Sequence, residues 1–158
     1  VSATLDSPRD IVAYLAVVMD LHTRKVLGVA LGPRLSQGLA LAALEMALRE
    51  GCPEVHHSDR GVQYTSRAYV ERLLGLGVRL SYAGTGRPWE NGHAERLIRT
   101  IKEEWVALRE YRTLAEARAS VKAFVLEVYD RKRPHSALGY LTPEAFSESL
   151  WKGGGSPD

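Results

Sequence analysis

Two carboxylates stand in settings suited to chemistry. Asp59 lies in HHSDRGVQYTS, directly after the short run Glu54–Ser58 that reads as a strand. Glu95 lies in GRPWENGHAERLIRTIKEEW, near the start of a strongly amphipathic helix. Hard divalent cations prefer carboxylate oxygen, and two of them about 3.5–4 Å apart can activate an attacking oxygen and stabilise a leaving one. An aspartate at a strand end and a glutamate on a helix are therefore candidates for metal-dependent work on a phosphodiester. Each has a plainer reading. Asp59 can serve as a turn residue with Arg60-Gly61, and Glu95 can pair with Arg99 at i,i+4 for a few tenths of a kcal/mol.

At about 100° per residue, Glu95, Arg99 and Lys102 fall on one helix face, with Asn91 near it at the helix start. The apolar stripe lies to the side of that face. Arg99 and Lys102, with Arg87 in the preceding loop, form a basic cluster able to neutralise phosphates; Arg96 adjoins it. Arg131-Lys132-Arg133-Pro134-His135-Ser136 is a second basic stretch. It can track a nucleic-acid backbone or pack Leu138, Tyr140 and Leu141 onto the domain. Gln63 and Tyr64 follow Asp59 closely enough to orient a nucleotide. His56 and His57 point to opposite faces of a strand, which argues against joint ligation. His93 and His135 lack Cys/His partners at zinc spacing.

The elements that must position these groups alternate in type. Val1–Leu5 reads as a strand and Asp6–Asp10 as a turn; Ile11–Met19 and Val26–Leu31 are strands around a turn at His22–Lys25. Ser36 caps a helix over Gln37–Arg49, with Leu39, Ala42, Ala43 and Met46 on its inner face. After Glu54–Ser58, Ser66 caps a helix over Arg67–Leu76, and Val78–Tyr82 is a fifth strand. Gly84, Gly86 and Pro88 precede the Glu95 helix, whose stripe is Ala94, Leu97, Ile98, Ile101, Trp105 and Leu108. Thr113-Leu-Ala-Glu116 matches a capping box opening a helix to about Asp130. The order predicts an α/β domain with a mixed five-stranded sheet flanked by helices.

A chain of 158 residues suits one domain with a real core. Its single cysteine, Cys52, excludes an internal disulfide and favours a reducing cytoplasm. No apolar run approaches the roughly 20 residues of a membrane span, and no secretory signal is read. The net charge of +2 permits nucleic-acid binding without arguing for it.

Four ordered segments carry a resemblance: YLAVVMDLHTRKVLGVAL (14–31), HHSDRGVQYTS (56–66), GRPWENGHAERLIRTIKEE (86–104) and RPHSALGYLTPEAF (133–146). Together they resemble the integrase-like catalytic core of bacterial insertion-sequence transposases of the IS-three group, related to retroviral integrases. The resemblance implies a ribonuclease-H-like fold over residues 1–150, with 151–158 as a disordered tail. It implies metal-dependent DNA cleavage and strand transfer, with Asp59 and Glu95 as catalytic residues holding Mg²⁺ or Mn²⁺. Arg99, Lys102 and Arg87 would contact DNA, namely transposon ends and target, in a homo-oligomer away from any membrane. Family members carry a first catalytic aspartate on the opening strand, where this chain has Ser2. Asp6 is the nearest substitute, whereas Asp20 matches a non-catalytic aspartate. The family also places a helical DNA-binding region upstream, so the chain reads as N-terminally truncated. Two readings stay open: a strand-transfer enzyme, and a catalytically degenerate DNA-binding remnant. A general ribonuclease-H-like nuclease is a third.

Overall fold

The computed structural model describes residues 2–6, 12–87 and 91–153, with 2–6 and 153 by their backbone alone. Strands β1 (Ser2–Asp6), β2 (Val12–Met19) and β3 (Val26–Gly32) form an antiparallel meander. In it Ser2 stands opposite Ala16 and Asp6 opposite Val12. The β2–β3 turn is built by Asp20, whose Oδ1 accepts from His22 N–H (2.7 Å) and Thr23 N–H (3.0 Å). Asp6 is thus the last residue of a strand rather than part of a turn; residues 7–10 lie outside the described residues, as does Pro88.

Helix α1 (Gln37–Leu48) follows, with the Ser36 side chain accepting from Leu39 N–H as its sequence predicts. Its inner face is Leu39, Ala40, Ala43, Leu44 and Ala47, so the expected Ala42 and Met46 are displaced by the neighbouring i,i+4 rows. Gly28 sets how closely this helix lies on β3. A Cβ at Gly28 would sit 2.0 Å from the Ala43 carbonyl oxygen. β4 (Val55–Ser58) pairs in parallel with β5 (Arg79–Tyr82), and between them run the single turn α2 (Val62–Thr65) and α3 (Arg67–Leu74). Ser66 does not cap α3; its hydroxyl donates to the Gln63 carbonyl instead.

All five expected strands are present, but their hydrogen bonds divide them into sheets of three and two. A cavity of about 730 Å³ has Val17, Val18 and Met19 on one wall and Val55, His56 and His57 on another.

Helix α4 (Gly92–Thr100) passes into a π-helical turn over Ile101–Trp105 and a 3₁₀ turn over Val106–Leu108. The extra residue per turn rotates the stripe, so burial steps five residues from Ile101 to Val106 and leaves Leu108 74 % exposed. An unbroken 3.6-residue period would have buried Leu108. Trp105 stays half-buried, stacked on Phe124 at 4.7 Å.

Helix α5 (Leu114–Ala123) opens on the expected cap, Glu116 N–H to Thr113 Oγ1, while the Glu116 carboxylate reaches back to Arg112 N–H. It also turns π-helical, over Phe124–Tyr129. That second rotation carries Asp130 inward, where its Oδ1 accepts from Val26 N–H at 3.0 Å across 104 residues of chain.

A last helix, α6 (Pro143–Gly153), was not expected. Thr142 Oγ1 accepts from Ala145 N–H ahead of Pro143 and Glu144, which is ordinary helix-start chemistry. Trp151–Gly153 are helical, and 154–158 lie outside the described residues. The main core joins β2, β3, α4 and α5 through Leu15, Leu97, Ile101, Val121 and Val125. A second cluster packs α1 against Tyr64, α3 and Val78.

Candidate active site and nucleic-acid interface

Strand β4 ends at Ser58, and Asp59 opens the next turn. Asp59 Oδ1 accepts from Gly61 N–H at 2.7 Å, so the turn role expected of this residue is real and fixes the carboxylate. A Cβ on Gly61 would come within 2.8 Å of that same oxygen and 3.1 Å of Gln63 Nε2. Tyr64 is only 3 % exposed and packs edge-on to Tyr69 at 5.3 Å. It belongs to the second core cluster and also lines the cavity of about 730 Å³.

Glu95 is exposed on the first turns of α4, and among the described residues it forms no ion pair with Arg99 or any other cation. Arg99 is exposed one turn further and Lys102 is half-buried in the π turn. Arg87 is exposed and lies across Gly84, where a Cβ would meet Arg87 Cδ at 2.9 Å. The 730 Å³ cavity is walled by His56 and His57 of β4, the β2–β3 turn, and Asn91, His93 and Ala94 at the start of α4. Asp59 is two residues beyond His57 and Glu95 is next to Ala94, so the carboxylates leave from elements that share one cavity. Neither carboxylate is itself part of its wall.

The histidines have separate partners. His56 Nε2 and Tyr69 Oη are 2.6 Å apart, while His57 Nδ1 and Ser81 Oγ are 2.9 Å apart. Burial pushes the His56 imidazole down to about 4. His57 Nε2 and Asn91 Nδ2 are buried without a hydrogen-bond partner among the described residues, and both residues line the cavity. Sequence placed Asn91 near the Glu95 face and set His57 aside as a joint ligand, but gave no sign that the two would line one cavity.

Does this donor set fit a divalent cation? Its chemistry does, since carboxylate oxygens come from two separate elements. The number falls short: among the described residues no group of three or more His, Cys, Asp or Glu gathers to hold a metal. Asp6 does not supply the missing ligand from Ser2's place. The two residues are four apart on β1, roughly 13 Å at about 3.3 Å per residue. Asp6 also sits opposite Val12, away from the Met19 end where the cavity begins. Asp20 has one oxygen occupied by two backbone amides of its own turn.

The second basic stretch is largely structural. Arg133 pairs with Glu104, and Arg131 with Glu144 at 3.1 Å. His135 packs edge-on to Tyr129 at 5.1 Å and bridges to Leu141. Leu138 is buried, whereas Tyr140 is exposed and holds a positive φ of 63°. No helix among the described residues is long and apolar enough to cross a membrane.

Known proteins match this chain in sequence and in fold. The integrase core domain family matches residues 4–88, and a second integrase core profile matches 76–143. Transposase InsF for insertion sequence IS3A of Escherichia coli (strain K12) is 37% identical over 136 residues, covering 84% of this chain and 47% of the relative. The transposase for insertion sequence element IS904 of Lactococcus lactis subsp. lactis (strain IL1403) is 31% identical over 138 residues, covering 85% and 54%. The chain thus spans about half the length of these relatives. Among solved structures, the HTLV-2 integrase catalytic core domain in complex with magnesium superposes with a TM-score of 0.70 at 15% identity, covering 92% of this chain and 91% of that one. The catalytic core domain of BIV integrase gives 0.67 at 18%, covering 96% and 95%. The fold is accordingly that of retroviral integrase cores, the ribonuclease-H-like fold expected from sequence. A profile spanning more than half the chain, laid over Asp59 and its strand, settles the matter: the chain belongs to the integrase core domain family.

Proposed function

We propose that this chain is the catalytic core of an insertion-sequence transposase, acting in DNA cleavage and strand transfer. The observation that carries the reading is the pair of carboxylates, one fixed by Gly61 N–H and one without an ion pair among the described residues, rising from two elements that wall the same cavity. Asp59 and Glu95 would hold Mg²⁺ or Mn²⁺, which when bound supplies an activated oxygen nucleophile and charge stabilisation at the leaving oxygen. Arg99, Lys102 and Arg87 neutralise DNA phosphates and set the register of the strand. Most of the protein's contribution is positioning and electrostatic stabilisation. The partners are transposon ends and target DNA, the working form is a homo-oligomer, and the setting is the cytoplasm. Residues 1–150 form the core domain.

A second reading is a DNA-binding remnant without chemistry. Ser2 in a strand, with no third carboxylate gathered to the pair among the described residues, favours it. Plasmid nicking and end joining in Mg²⁺ or Mn²⁺ decide between them. The enzyme reading expects activity that Asp59→Asn and Glu95→Gln abolish. DNA binding without activity, with activity gained in Ser2→Asp, supports the remnant. Activity untouched by Asp59→Asn removes the site assignment.

A further inference from the structure

The outer edge of the meander carries a second cavity. β3 is the last of its three strands, and α1 and α5 both pack on it. Where β3 turns into α1, the three elements border a space of about 570 Å³. It shares no wall residue with the 730 Å³ cavity near the carboxylates. Val29, Leu31, Leu39 and Val121 supply apolar wall. Its charged residues are all cations, Arg34, Arg118 and Lys122, and among the described residues no carboxylate lines it.

Local geometry fixes where these cations stand. Arg118 and Lys122 are four residues apart on α5, so they are neighbours on one helix face. Arg118 Nε donates to the Leu31 carbonyl at 3.1 Å, which ties that face to β3. Arg34 stands two residues after Gly32, the end of β3, and two before Ser36, the N-cap of α1. The corner is tight, since a Cβ at Gly32 would meet Leu39 Cδ1 at 3.0 Å. Arg34 and Lys122 have no ion pair among the described residues, whereas Arg72, Arg131 and Arg133 are each paired with a glutamate. The start of α1 reaches the same wall through Ser36 and Gly38, and its first turn holds no acidic residue to offset the helix dipole. Three cations in one concavity, with no anion among them, concentrate a positive field there.

We propose that this cavity holds one phosphate of a DNA backbone, gripped by Arg34, Arg118 and Lys122. Guanidinium forks match phosphate oxygens, and the lysine adds a point charge. The site is separate from Arg99, Lys102 and Arg87, so DNA seated there is held at a second place on the domain. As a DNA site it rests on the function proposed above; as an anion site it does not.

The test is fluorescence anisotropy of a labelled 20-base-pair duplex against salt, using the 158-residue chain and the double variant Arg34→Gln/Lys122→Gln. Arg118 is left in place because it also bonds Leu31. The control, Arg49→Gln/Arg67→Gln, removes the same charge from α3 and from the far end of α1, roughly 18 Å along that helix from Gln37. Losing a single phosphate contact lowers the slope of log K against log salt by about 0.9. The double variant is expected to fall by about 0.9, with the control unchanged. A fall of about 1.8 would mean that the two cations hold separate phosphates, which overturns the shared site. A slope equal to wild type, or a control that falls as far, overturns it too. Far-UV circular dichroism confirms that each variant folds. Sedimentation velocity reads the other occupant: a dimer that only the double variant dissolves would show a second copy on this groove, and the proposal falls. Inorganic phosphate titrated against the Gly38 amide NMR signal separates this inference from the function it rests on. A signal that moves in the wild type and not in the double variant, in a chain that binds no DNA, keeps the anion site and overturns its DNA ligand. A signal that stays still, with the DNA slope unaffected by the double variant, overturns the cavity as a site and leaves the proposed function standing.

Discussion

Asp130 makes a pH prediction whose size can be worked out. Its side chain is 2 % exposed, one carboxylate oxygen accepts from Val26 N–H, and the other is buried with no partner among the described residues. Burial pushes this carboxyl from its ordinary 3.8 up to about 7, against the opposing pull of the Val26 amide and Lys25. Between those values the folded chain carries a proton that the unfolded chain has lost. The stabilising contribution is therefore complete below pH 3.8 and is lost as pH rises through about 7. A displacement of about three pH decades at about 1.4 kcal/mol each is about 4 kcal/mol. Asp130→Asn keeps the oxygen that meets Val26 and cannot ionise. The buried amide adds a constant offset of about 1–3 kcal/mol if its N–H groups lack acceptors, but no pH dependence. Urea unfolding of wild type and variant from pH 4 to 8 should give a stability difference that moves by about 4 kcal/mol in favour of the variant. For a domain of this size that corresponds to roughly 8–16 °C in relative Tm. Taking the difference between the two chains cancels every other titrating group. A difference that stays flat within about 1 kcal/mol would refute the burial argument, and with it the role of the π turn in carrying Asp130 inward.

His56 should act with the opposite sign. Burial holds its imidazole at about 4, so its contribution is present above pH 6.5 and is lost as pH falls toward 4; His56→Gln should remove about 3 kcal/mol of that dependence in the same urea series. Gly28→Ala places a methyl 2.0 Å from the Ala43 carbonyl and forces α1 off β3, a cost of about 3 kcal/mol read as a fall in the urea midpoint. Gly61→Ala has an acceptable backbone at φ −55° but pushes on Asp59 Oδ1, so nicking should fall by about 100-fold while the melting temperature holds. An unchanged rate would show that the Asp59 turn does not govern the chemistry.

Local signals in the sequence located most elements to within a residue or two. Ser36 and Thr113 cap the helices they were expected to cap, because an N-cap bond needs only three neighbouring residues. Register over longer stretches was less legible. The two π turns after Thr100 and Ala123 arise where helices must meet β2, β3 and each other, and nothing in a 3.6-residue period announces them. Leu108 was consequently expected inside and Asp130 was passed over as a helix end. Asp130 is bonded to an amide 104 residues away, a partner that no window along the chain can see. At the site, Asp59, Glu95 and the Arg99 face were readable as types at spacings.

The placement of Ser2 bears on how the two functional readings divide. A carboxylate offered from Asp6 would have to act from the far end of β1, roughly 13 Å along the strand. A strand cannot slide to correct this without cost. A shift of one residue reverses every side chain between faces, and one of four would strip the Ala16 end of its partner. Replacement by another residue of the described chain meets the same obstacle, because Asp20 is committed to its turn and Asp130 is buried on Val26. Among the described residues that leaves position 2 itself as the source of a third carboxylate, with a DNA phosphate in the assembled complex as the other source of charge. Ser2→Asp separates these routes. It should raise metal-dependent nicking sharply if Asp59 and Glu95 are otherwise correctly placed. It should change little if the complex already completes the site.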